Sequence, residues 1–145
     1  MIGFSHGGTT VLGTAWRGQT GRLEGKPDFR FAMAFYPGCR AFAEDVGMRF
    51  AVPLHLLIGA SDDWTPADPC RQLARNLERK GEPFTFVVYP GAYHQFDAPN
   101  QKLTTLPNMI NGRGGYGVTV GTDPAARADA IERLDALVKE VLLAP

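Results

Sequence analysis

The chain has 145 residues, 44% of them hydrophobic, and fifteen basic side chains balance fifteen acidic ones. That suits one globular domain with a real core, and the lack of a basic excess argues against nucleic acid or an anionic membrane surface as the main partner. No apolar run approaches the ~18 residues of a membrane span, and Gly3, Ser5, His6, Gly7 and Gly8 interrupt any signal-like stretch at the start, so a cytoplasmic location is expected.

In chain order, the first motif arrives at once. Residues 3–7 read Gly3-Phe4-Ser5-His6-Gly7, a G-x-S-x-G pentapeptide. Such a pentapeptide can hold a nucleophilic serine on a sharp turn between a strand and a helix, with glycines at 3 and 7 relieving the crowding. The strand should come first, and only Met1 and Ile2 precede the turn. Residues 9–19 then read as a helix whose small side chains let it lie close to a sheet. The run RFAMAFY at 30–36, ended by Pro37-Gly38, predicts a buried strand, and PLHLLIG at 53–59 predicts a second. A helix is expected next, over 66–80: Pro66 suits a first turn, Leu73 and Leu77 share a face, and Gly81 stops it. PFTFVVY at 83–89, closed by Pro90-Gly91, is the third apolar strand.

Residues 98–122 show no periodicity and contain Asn111-Gly112-Arg113-Gly114-Gly115-Tyr116-Gly117. They read as a surface loop or lid. The glycine spacing fits neither G-x-G-x-x-G nor G-x-x-x-x-G-K, so a phosphate cradle is a weak reading. Asp123 caps and Pro124 opens a last helix over 123–143, in which Ile131, Leu134, Leu137, Val138, Val141 and Leu142 form an apolar stripe. Cys39 and Cys70 sit in no C-x-x-C pair and near no histidine at metal spacing. They read as two reduced thiols, with a single bridge left open. No metal or organic cofactor is implied. Strands that are apolar throughout and alternate with helices predict an α/β fold, a parallel sheet covered on both faces.

The residues just past each strand carry the chemistry. Ser5 ends the opening turn, Asp62 and Asp63 lie just beyond PLHLLIG, and His94 lies just beyond PFTFVVY. Ligands of a parallel sheet bind at the carboxyl ends of its strands, so a serine, an acid and a histidine should converge there. A serine hydroxyl needs a histidine to take its proton, and the histidine needs a carboxylate to fix its tautomer. The N–H of His6, at a helix start, would face the oxyanion of a tetrahedral intermediate. His6 itself should point away from the serine, and His55, inside a strand, reads as a core histidine.

GFSHGG, GASDDWTP and YPGAYHQFDAP, taken together, resemble the dienelactone hydrolase family of α/β-hydrolases over residues 1–98, and the final helix fits the close of that fold. The resemblance implies the C-terminal half of an α/β-hydrolase domain over 1–145, with Ser5 as nucleophile, Asp62 as acid and His94 as base; Asp63 is the runner-up acid. Phe4, Trp64, Tyr93 and Phe96 flank these motifs as candidate substrate-binding residues. A serine where dienelactone-opening members carry cysteine shifts the expectation toward general carboxylic-ester hydrolysis, on a small ester or lactone.

The resemblance starts at the nucleophile turn, so the strands that precede it in the family, and one loop that supplies an oxyanion N–H, have no counterpart. The expectation is a C-terminal part of a longer hydrolase, with no strand beneath Ser5 and an exposed sheet edge prone to self-association. Two other readings stand beside the esterase: a peptidase or acyltransferase with the same triad, and a fragment that needs a partner or an upstream segment to work.

Overall fold

The computed structural model describes residues 1–18 and 29–142. The three apolar runs form β2 (Ala32–Phe35), β3 (Leu54–Gly59) and β4 (Phe84–Tyr89). A further strand, β1 (Ile2–Phe4), pairs with β2 in parallel, Gly3 opposite Ala34. The sheet runs β1-β2-β3-β4 and all its pairings are parallel. The absence of a strand beneath Ser5 was therefore the wrong expectation: three residues are enough, because the Ser5 N–H continues the ladder to the Phe35 carbonyl at 2.9 Å.

β2 is buried along its whole length and β3 at every residue but His55, as apolar strands covered on both faces must be. α1 (His6–Ala15) starts directly after Ser5, earlier than its composition suggested; Gln19, its expected end, lies outside the described residues. α2 (Arg40–Glu44) and α3 (Ala67–Arg79) complete the crossovers. Asp68 in the first turn of α3 and Arg79 in the last complement its dipole, and Leu73 and Leu77 are buried as their spacing required. With right-handed crossovers and sequential strand order, α1 to α3 share one face of the sheet.

The other face, with Met33, His55, Leu57 and Thr85, meets α4 (Pro124–Leu142) across a cavity of about 230 Å³ that Arg133, Ala136, Leu137 and Glu140 also line. His55 is half-buried there, edge-on to Phe31, and burial lowers its pKa, with Glu140 opposing. Asp123 caps α4 as expected: its Oδ1 accepts from the N–H groups of Ala125 and Ala126 at 3.1 and 2.9 Å. Among the stripe residues whose side chains are described, one departs, and Leu142 lies outside them. Ile131 is 46% exposed, while Ala126 and Ala130 are buried in the seam, because small residues let the helix approach the sheet more closely.

Two expectations are corrected. Residues 98–122 are no structureless loop: β5 (Thr104–Ile110) and β6 (Tyr116–Val120) form an antiparallel hairpin. Its turn is organised by Asn111, whose Oδ1 accepts from the N–H groups of Arg113 and Gly115, both at 3.0 Å. The glycines thus serve the turn, with Gly114 and Gly117 at positive φ. The second correction concerns the cysteines. Cys39, at the start of α2, and Cys70, in α3, form a disulfide, their Cα atoms 5.0 Å apart.

The fold brings the start of α2 against the first turn of α3, which linear spacing does not show. Such bridges persist in oxidising surroundings and are scarce in reducing cytosol, which weighs against a cytoplasmic location. Because the bridge spans 31 residues, its removal in a Cys39→Ser/Cys70→Ser variant is expected to cost about 3–4 kcal/mol of stability. Denaturation with and without reductant tests this; equal midpoints would mean the thiols are already free.

Candidate active site

The site is built from the carboxyl ends of β1, β3 and β4. Ser5 sits at the β1–α1 junction with φ 52 and ψ −118, a left-handed conformation that is strained for a side-chain-bearing residue. Close backbone approach enforces the turn. A Cβ on Gly3 would lie 2.5 Å from the Gly7 carbonyl carbon and 2.7 Å from Val11 Cγ2. The second crowded position is Gly8, not Gly7: a Cβ on Gly8 would lie 2.8 Å from the Phe35 carbonyl oxygen, whereas Gly7 has open space.

Three side chains meet in one line. His94 Nε2 lies 2.8 Å from Ser5 Oγ, and His94 Nδ1 lies 2.8 Å from Asp62 Oδ2. His94 is fully buried and Asp62 is 4% exposed. A buried carboxylate needs partners, and Asp62 has them: Oδ1 accepts from the N–H groups of Trp64 and Thr65 at 2.9 and 2.8 Å, and Oδ2 accepts from the Thr65 hydroxyl at 3.0 Å. The carboxylate is thereby held acceptor-ready for Nδ1–H, which leaves the Nε2 lone pair facing the serine.

Asp63 is turned elsewhere. Its Oδ1 accepts from the Thr119 N–H and its carbonyl accepts from the Gly112 N–H, both at 2.8 Å. It clamps the hairpin. The hairpin also reaches the histidine: the Gly121 N–H donates to the His94 carbonyl at 3.1 Å, and His94 pairs with Val120 in a parallel bridge. β6 therefore braces the loop of Asp62 and the loop of His94 together. The segment read as a surface loop or lid is a support for the site.

The remaining sequence candidates separate. His6 is the first residue of α1 and its side chain is exposed, as expected, while its N–H falls in the first turn, where helix geometry leaves donors unpaired. Phe4 is 46% exposed and stacks on Phe35, ring centroids 4.7 Å apart. The Trp64 ring lies 4.9 Å from the His94 ring. Tyr93 is half-buried. Phe96 has no exposed surface and lies among Phe35, Tyr36 and Tyr89, so it belongs to the core and not to a binding surface.

Two residues at the site carry no motif in the sequence. Tyr36, just past β2 at φ 38, places its ring 4.5 Å from that of His94 and donates its phenol proton to Asp97 Oδ1 at 2.7 Å. Burial, then the bond to Asp97, raises its pKa far above the usual tyrosine range, so the phenol stays a donor. Thr65 contacts both Asp62 and His94. Tyr36 closed the predicted strand at 30–36 and Thr65 lay just ahead of the predicted helix at 66–80, so neither carried a signal of its own. Among the described residues no three His, Cys, Asp or Glu side chains gather as metal ligands, and no helix is long and apolar enough to cross a membrane.

Comparison with known proteins adds a family and a fold. The model of the dienelactone hydrolase family matches residues 1–142. No curated protein matches the chain. Among solved structures, a dienelactone hydrolase-like promiscuous phosphotriesterase from metagenomic libraries is 20% identical with a TM-score of 0.63; the match covers 97% of this chain and 51% of that one. A thermophilic esterase from the planctomycete Thermogutta terrifontis is 18% identical at a TM-score of 0.60, covering 97% and 54%. A carboxylesterase from Lactobacillus plantarum is 15% identical at a TM-score of 0.63, covering 99% and 59%. The chain thus spans somewhat over half the length of each, and the likeness places its sheet and helices within the α/β-hydrolase fold.

Proposed function

Since the chain belongs to the dienelactone hydrolase family, we propose that it is a serine hydrolase that cleaves a small carboxylic ester or lactone. The observation that carries this reading is the unbroken hydrogen-bonded line Ser5–His94–Asp62, with 2.8 Å at both links. Ser5 Oγ attacks the substrate carbonyl while His94 Nε2 takes the hydroxyl proton. Asp62 keeps the other ring proton on Nδ1 and steadies the imidazolium. The tetrahedral oxyanion is met by the His6 N–H at the start of α1, a donor fixed in place before the reaction.

His94 then hands its proton to the departing alkoxide, and the acyl group stays on Ser5 as an ester. A water molecule, deprotonated by His94, attacks that ester, and its collapse returns the proton to Ser5 and frees the carboxylic acid. With a lactone, the leaving alcohol remains tethered to the acyl chain. Phe4, exposed beside Ser5, and half-buried Trp64, against His94, suit an apolar acyl group, with Tyr93 at the margin. The chemistry uses protein groups alone.

A fluorophosphonate probe is expected to label the purified chain at Ser5 and to leave Ser5→Ala unlabelled. Equal labelling of the variant, or none of a folded wild-type sample, overturns the reading. Hydrolysis of short p-nitrophenyl esters against peptide anilides separates an esterase from a peptidase.

A further inference from the structure

The side chain of Thr65 has no assigned part in the reaction, yet it is the most connected hydroxyl of the site. Its Oγ1 lies 3.0 Å from the Tyr36 carbonyl oxygen, 3.0 Å from Asp62 Oδ2 and 3.1 Å from His94 Nδ1. A hydroxyl has one proton and two lone pairs. The carbonyl and the carboxylate can only accept, so they compete for the Thr65 proton. Nδ1 carries a proton when Nε2 is free to serve as base, so it donates, forked between Asp62 Oδ2 at 2.8 Å and Thr65 Oγ1.

The Tyr36 end of this junction is rigid. Tyr36 is the residue after β2, and its N–H remains in the sheet, bonded to the Leu57 carbonyl at 2.7 Å. Its backbone turns left-handed there, at φ 38. The Cys39–Cys70 bridge joins the loop beyond Tyr36 to the helix beyond Thr65. Thr65 thus links acid and base to the end of a third strand, one that contributes no member of the triad.

We propose that Thr65 is a positioning residue: its hydroxyl is the second acceptor for His94 Nδ1–H and the tie that holds the Asp62–His94 pair against the end of β2. The proposal rests on Ser5, His94 and Asp62 acting as described above. The consequence lies in the imidazolium. A charged ring donates more strongly than a neutral one, so both acceptors on Nδ1 favour protonation at Nε2 during attack. The groups that face the ring are Asp62 from the loop after β3, Ser5 from the end of β1, Thr65, the Trp64 ring, and Tyr36 with Asp97 behind it.

Thr65→Val keeps the shape and removes the hydroxyl; Thr65→Ser keeps the hydroxyl. The valine variant is expected to lose about 10-fold in kcat on a short p-nitrophenyl ester, the worth of one buried hydrogen bond, with KM within about twofold. The serine variant is expected to recover most of that loss. The His94 Nδ1–H proton resonance, followed by NMR, is expected to shift in Thr65→Val, where one acceptor is gone, and to return in Thr65→Ser.

Unchanged kcat and an unchanged Nδ1–H resonance in Thr65→Val would overturn the proposal, as would a serine variant as impaired as the valine one. The NMR reading needs no turnover. If the wild type hydrolyses no ester and takes no probe, the hydrolase reading fails, while the Nδ1–H resonance still decides whether Thr65 acts on His94.

Discussion

Asp62→Asn is expected to lower kcat by about 10⁴-fold, while Asp63→Asn stays near wild type. The two acids are neighbours in sequence but answer to different parts of the molecule. Asp62 Oδ2 accepts from His94 Nδ1 at 2.8 Å inside a buried pocket. In an asparagine the Trp64 and Thr65 N–H groups hold the amide oxygen in the place of Oδ1, so the NH₂ faces Nδ1. The ring then gains by moving its proton to Nε2, where it faces Ser5 and cannot take the hydroxyl proton.

Asp63 instead accepts the Thr119 N–H, and an asparagine oxygen still accepts that bond. Asp63→Ala leaves the amide unpaired and is expected to cost about 1–3 kcal/mol of stability, with only a modest fall in rate. The check is kcat for the three variants beside their unfolding midpoints. Full activity in Asp62→Asn together with inactivity in Asp63→Asn would reverse the assignment.

Gly3→Ala carries the second large effect. A methyl at Gly3 meets backbone at Gly7 and the Val11 side chain at distances no rotamer change can relieve. The turn must open, which breaks the bond from the Ser5 N–H to the Phe35 carbonyl and moves Oγ away from His94. The expected result is a loss of about 3 kcal/mol or more and loss of probe labelling. Gly7→Ala, in the same motif but with open space around it, is expected to be nearly neutral in stability. Thermal unfolding and labelling of both variants test this; equal damage at the two positions would mean the crowding lies elsewhere.

Much of the fold was legible in the residues. β2 and β3 announced themselves because a strand buried on both faces is apolar nearly throughout, β4 by its apolar run although it is only half-buried, and Pro37, Gly59 and Pro90 marked their ends. That Ser5, His94 and an acid after β3 would meet was legible because a parallel sheet gathers the residues beyond its strands at one edge; the preference for Asp62 came from the motif of the resemblance. The features that stayed hidden depend on partners set by the tertiary fold. The hairpin escaped because β5 is exposed at nearly every residue, and a strand without a buried face leaves no alternating pattern.

Cys39 and Cys70 looked independent because only the juxtaposition of α2 and α3 makes them neighbours. Phe96 looked like a pocket residue because aromatic character says nothing about which side of the sheet edge it faces. Asp62 could be separated from Asp63 by motif position but not by chemistry, which needed the direction of each carboxylate. Thr65 was hidden for the same reason: its three partners come from separate loops.

The hairpin has a bearing on how such a chain tolerates insertions and deletions. Between Gly112 and Gly121 the backbone is fastened to Asp63 at Gly112 and Thr119 and to His94 at Gly121. Thr119 to Gly121 work as a ruler between the loops of Asp63 and His94, where one residue added or removed shifts one loop against the other. Gly112 to Thr119 form a closed span with both ends tied to Asp63. The β5 side has no such duty, and its register against β6 already slips between Leu106 and Ile110. Length variation should therefore collect in residues 102–110 and avoid 112–121. A designer seeking new specificity by loop exchange would cut on the β5 side and leave the return strand intact.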